Sequence, residues 1–83
     1  MGLEIVELLM SVEDSFKFTI TDEEAENIAT IGQLHDLVVS KVSPPMDEAV
    51  VWNRLKHLIV SQLAIAPEAV TRETRFIDDL GLG

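Results

Sequence analysis

Eighty-three residues, 47% of them apolar and only 5% aromatic, hold material for one small, mostly aliphatic core and no second. The absence of Cys excludes disulfide staples, thiol chemistry and iron–sulfur clusters, and makes the reducing cytoplasm the expected location. A net charge of −9 argues against nucleic acid and anionic membrane as partners and favours basic protein surfaces.

The acids are unevenly placed. Residues 1–36 hold nine acids and one base, Lys17, whereas residues 37–83 hold six acids and five bases. The first element is a helix over 3–16, with Ile5, Leu8, Leu9, Val12 and Phe16 at helical spacing. Leu3, Val6 and Met10 widen that stripe, and Glu4, Glu7, Ser11, Glu13, Asp14 and Ser15 form the polar remainder. Phe18 to Ile20 is too short for a strand and reads as an extended linker. Thr21-Asp-Glu-Glu24 is a capping box that opens a short helix of about two turns through Ile28. Thr30-Ile-Gly-Gln33 repeats the device and opens a third helix, with Ile31, Leu34, Leu37 and Val38 facing inward.

Ser43-Pro44-Pro45 is the one strong break. The longest helix is expected over 46–63, with Val51, Leu55, Leu58, Ile59 and Leu63 as its apolar stripe and Asn53, Arg54, Lys56 and His57 outside it. Asp47 and Glu48 suit its positive end, and Ala66-Pro67 is expected to stop it. A polar loop follows, pinned by Val70, Phe76, Ile77 and Leu80. Nothing alternates with strand period, so the fold class is all-α: a small four-helix bundle of three main helices and one short one. No apolar run approaches the roughly 20 residues that cross a bilayer, and the first residues lack a secretory signal's basic region.

Few residues suggest chemistry. Asp78-Asp79 and Asp22-Glu23-Glu24 lack the spacing of a cation-binding loop and read as solvated loop and helix start, so no metal site is expected. His35 and His57 are isolated and read as surface histidines, and Trp52 reads as core. No nucleophile stands with a base, so an enzyme is not expected.

Two halves of the chain nevertheless carry a joint resemblance. Leu3-Glu-Ile-Val-Glu-Leu-Leu-Met-Ser-Val-Glu-Asp-Ser-Phe16, then Ile20 to Ile28 and Thr30 to Leu34, resembles the second, third and fourth helices of an acyl carrier protein. Arg54-Leu-Lys-His-Leu-Ile-Val-Ser-Gln-Leu63, then Val70-Thr71 and Phe76-Ile-Asp-Asp-Leu-Gly81, is similar to that family's first helix and first loop. The order is reversed, so the whole chain reads as one circularly permuted acyl-carrier-like domain. Residues 1–42 would correspond to family helices 2–4, 43–46 to the joining linker, and 47–83 to helix 1 and loop 1. Met46 would be the former start. Cutting an exposed loop between neighbouring termini is a physically tolerated rearrangement.

The resemblance also says what is missing. In the family, a Ser before the residue matching Leu3 carries 4′-phosphopantetheine, whose thiol holds the acyl chain. Gly2 occupies that position and has no hydroxyl, so no cofactor is expected on the chain as written. What remains implied is a fatty-acid or polyketide-type carrier domain that cannot be charged. Its Glu4, Glu7, Glu13 and Asp14 would dock basic surfaces of synthases, acyl-transfer enzymes and phosphopantetheinyl transferase. A monomer is expected over a dimer that exchanges carrier halves, and Asp78 to Gly83 should lie close to Met1-Gly-Leu3. The competing class is an acidic helical interaction module unrelated to acyl transfer.

Overall fold

The computed structural model describes residues 3–82. Among them are four α-helices and no β-strand: α1 (Leu3–Phe16), α2 (Asp22–Glu26), α3 (Ile31–Lys41) and α4 (Glu48–Leu63), followed by one 3-10 turn, Pro67–Ala69. The all-α class is therefore the observed one. Helix α4 packs against both α1 and α3, and its Val51, Leu55 and Ile59 are fully buried between them.

Helix α1 spans the expected residues and buries Ile5, Leu8, Leu9, Val12 and Phe16. The wider stripe does not hold. Val6 is 38% exposed and Met10 61%, because at about 100° per residue both fall beyond the edge of a stripe centred on Val12. Lys17 stops the helix in the left-handed region at φ 59°, and the Phe18 N–H donates back to the Glu13 carbonyl at 3.2 Å, the longer bond of a Schellman closure. Arg54 of α4 ties down this end. Its guanidinium donates to the Ser15 carbonyl and hydroxyl at 3.1 and 3.2 Å and lies 4.7 Å from the centre of the Phe16 ring.

Both predicted capping boxes form. Thr21 accepts from the Glu24 N–H while Glu24 accepts from the Thr21 N–H, and Thr30 and Gln33 do the same at the start of α3. Helix α2 ends at Glu26, short of Ile28, because the Asn27 N–H and side-chain amide turn back onto the Glu24 and Glu23 carbonyls. In α3, Ile31, Leu34 and Val38 are buried as expected, and Leu37 is half-buried. Helix α4 starts later than expected, at Glu48, with the Asp47 carboxylate capping the Ala49 N–H at 2.8 Å. Its end at Leu63 is the expected one, but the device differs. Ala64 turns left-handed at φ 54°, so Pro67 opens the 3-10 turn instead of ending the helix.

The terminal segment is sewn across the start of α3 through its backbone. Ile31 and Gly32 donate to the Thr74 and Arg72 carbonyls, each at 3.0 Å, and Phe76 donates to Ala29 at 3.0 Å. Close approach makes Gly32 necessary, since a Cβ there would stand 2.7 Å from the Arg72 oxygen. Val70 and Phe76 are buried and Leu80 half-buried, as expected. Ile77 is not an anchor. It is 59% exposed because the turn folds back, Leu82 N–H to Phe76 carbonyl at 3.0 Å, and buries Leu82 in its stead.

Candidate functional site: an acidic helix face beside an apolar cavity

Helix α1 divides the four predicted docking acids into two groups. Glu4, Glu7 and Asp14 lie at spacings of three and seven on one exposed stripe, which places them along the same helix face. Glu4 and Glu7 have no ion-pair partner among the described residues, whereas Asp14 stands 3.8 Å from the Lys17 ammonium, both highly exposed. Glu13 does not join them. Half-buried on the adjacent face, it accepts a hydrogen bond from the Ile20 N–H at 2.7 Å and so fixes the connection from α1 to α2. The sequence reading missed the exposed Val6 and Met10 on the acidic face. Their position at the margin of the apolar stripe was the only signal for it.

Two hollows flank α2, the first of them mainly apolar. One, about 370 Å³, lies between Ile5 of α1, Ala25, Ile28 and Ala29 around α2, and Arg75 to Asp78 of the terminal turn. The other, about 420 Å³, lies between Val6, Leu9 and Met10 of α1 and Ile20 and Ala25, with the acids Glu13, Asp22 and Glu26 on its rim. Ala25 and Glu26 border both, so a five-residue helix forms the partition. The first hollow puts Ile5 beside Phe76, Ile77 and Asp78. The contact expected of Asp78 to Gly83 was with Met1-Gly-Leu3, which this hollow does not include. Met1, Gly2 and Gly83 lie outside the described residues.

In the other acid clusters Asp78, Asp79 and Glu24 are held by internal partners. Asp79 accepts from the Arg75 N–H at 2.7 Å, and Arg75 also pairs with Asp78 at 3.2 Å. The Arg75 backbone N–H and then its guanidinium hold the Asp79 carboxyl below its ordinary range. Glu24 is held low chiefly by the Lys41 ammonium, and next by the Thr21 N–H. Lys41 also donates to the Thr19 carbonyl at 2.9 Å, so this pair joins α3 to the linker before α2. Among the described residues, no three His, Asp or Glu side chains converge on one point.

His57 is exposed, as expected, but His35 is not a surface histidine. It is 5% exposed, at the junction of α3, α4 and the terminal segment. Its Nε2 donates to the Glu48 carbonyl at 3.0 Å, its Nδ1 accepts from Arg72 at 2.9 Å, and its ring meets Trp52 edge-on at 5.3 Å. Arg72 simultaneously grips both oxygens of Asp36 at 3.0 and 2.9 Å. The residue that recruits His35 is 37 positions away, beyond the reach of any local pattern. Trp52, placed in the core by its sequence context, is half-buried at this same junction.

The residue chemistry does not fit a phosphopantetheine ester at the predicted position, because Gly2 supplies no oxygen.

Comparison with known proteins gives a partial but specific match. Over 41 residues the chain is 42% identical to a protein of Exiguobacterium sibiricum named acyl carrier protein, covering 49% of this chain and 52% of that one. Over 37 residues it is 47% identical to the acyl carrier protein of Buchnera aphidicola subsp. Baizongia pistaciae, covering 45% and 47%. A third, from another Exiguobacterium, is 42% identical over 41 residues. The chain spans about half the length of the curated relatives it matches. No protein-family profile matches it, and no solved structure does.

Proposed function

We propose that the chain is an acyl-carrier-like domain of fatty-acid or polyketide-type biosynthesis, with its halves in circularly permuted order and its attachment residue replaced by Gly2. The observation that carries the reading is the 42–47% identity to acyl carrier proteins over about half of each chain. A collinear alignment follows only one half of a permuted chain at a time, so a match of that extent supports the reversed order. The terminal turn beside Ile5 supports it as well, because the two sides of the interrupted junction would be neighbours.

The domain acts as a binding partner and not as a catalyst. Its contacts would be made by Glu4 and Glu7, with Asp14 behind them and Met10 and Val6 supplying apolar area between the charges. Basic patches on synthases, acyl-transfer enzymes and phosphopantetheinyl transferase are the complementary surfaces. Exposed charges of this kind set orientation and on-rate, and their effect falls steeply with salt. Glu13 contributes by holding the α1–α2 connection in place.

The test has two arms. Incubated with coenzyme A and a phosphopantetheinyl transferase, the chain should gain no mass. A covalent arm on any serine overturns the uncharged assignment. In the second arm, binding to a carrier-dependent synthase should weaken at least tenfold in the Glu4→Lys, Glu7→Lys double variant. Equal binding by that variant overturns the docking face.

A further inference from the structure

We propose that His35 is a pH-operated clasp that fastens the terminal segment to α3, and that one proton on its ring shifts Asp36 from Arg72 to His35 and loosens that segment. The inference does not depend on the carrier reading, since it concerns only how this chain holds itself together.

The hydrogen-bond pattern fixes the form of the ring. Arginine can only donate, so Nδ1 accepts from Arg72, and the Glu48 carbonyl can only accept, so Nε2 bears the hydrogen. Both ring nitrogens are therefore satisfied by the neutral Nε2–H tautomer and no other. Four neighbours surround the ring. Asp36 faces it from its own helix, Arg72 from the terminal segment and Glu48 from the start of α4, with Trp52 as the uncharged fourth.

A proton taken from water onto Nδ1 removes the acceptor that Arg72 uses and sets an imidazolium against a guanidinium. Asp36 offers the alternative. Its Oδ1 already stands 4.0 Å from Nδ1 while its two oxygens hold Arg72. A small rotation of the carboxylate exchanges one cation for the other, and the Glu48 bond survives because Nε2 keeps its hydrogen. What is lost is the side-chain grip of Arg72. That residue's own carbonyl receives the Gly32 N–H, and Thr74 two positions on receives the Ile31 N–H, so the grip and the backbone seam are one structure.

Trp52, the only Trp in the chain, is a built-in reporter, because a protonated imidazole in contact quenches indole emission. Lowering the pH of the native chain should quench Trp52 in a single one-proton transition. The amide resonances of Gly32 and Ile31 should move in step with it. His57→Gln should leave both signals unchanged, and His35→Gln should abolish both. Arg72→Ala should keep the quenching while the Gly32 amide stops following it. If the His35→Gln chain does not fold, the ring nitrogen shifts of the native chain decide: the Nε2–H tautomer above the transition, with both amides titrating alongside, supports the clasp. Amides that stay still while the ring titrates, an Nδ1–H tautomer at high pH, or a transition that survives in folded His35→Gln overturns it.

Discussion

Ala64 and Gly32 are each set against the preference of the position they hold, in opposite directions. Ala64 sits at φ 54°, where a Cβ crowds the following carbonyl at a cost of about 1–2 kcal/mol. Glycine is free of that clash and offsets part of the gain by its larger unfolded-state entropy. Ala64→Gly should therefore raise stability by about 0.5–1 kcal/mol, read as a higher urea midpoint with an unchanged slope. Gly32 is the reverse case. Its missing Cβ is what lets the Arg72 carbonyl approach, and a methyl 2.7 Å from that oxygen forces the seam apart. Gly32→Ala should cost about 1–3 kcal/mol in the same measurement, through overpacking against backbone that cannot step aside. Lys17, left-handed like Ala64, belongs with the first case.

Helices were legible to the extent that their signals were local. The Thr21–Glu24 and Thr30–Gln33 boxes needed only four adjacent residues each, and both formed as read. The Thr30 box is tighter than it looked, since the Gln33 side chain accepts from Ala29 N–H as well as Thr30 N–H. Thr30→Ala should cost about 1 kcal/mol of stability and Thr30→Ser much less, because the serine hydroxyl still reaches the Gln33 N–H. Equal losses in the two variants would remove the cap from the account.

The errors cluster where an element's fate is decided by a distant one. His35 reads as exposed until Arg72 arrives from the terminal segment. Ile77 reads as an anchor until the backward turn gives that place to Leu82. Met10 and Val6 look like stripe residues until α4 proves to cover only one side of α1. The end of α4 at Leu63 fell where the apolar stripe ends, but the left-handed Ala64 that closes it had no sequence signal, since no glycine marks it. In the candidate site, Glu4, Glu7 and Asp14 could be placed together from helical spacing alone, whereas Glu13's bond to the Ile20 N–H depends on the path of a linker no periodicity describes.

On the scale of the whole molecule, two electrostatic effects oppose each other. Net charge −9 stores self-repulsion at neutral pH, which salt screens, so the thermal midpoint at pH 7 should rise when salt is added. Acid relieves the same repulsion but removes specific pairs. Glu24 and Asp79 both bind their protons less readily in the folded chain than ordinary carboxylates do. A depressed folded pKa means that the unfolded chain takes up the proton first. Their stabilisation is therefore complete above the unfolded carboxylate range and is lost progressively as pH falls through it toward the folded values. Glu24→Gln and Asp79→Asn should lower the midpoint at pH 7 and make its decline with acid shallower than in the native chain. Midpoints that fall in parallel across that range would show that neither carboxylate carries the acid sensitivity.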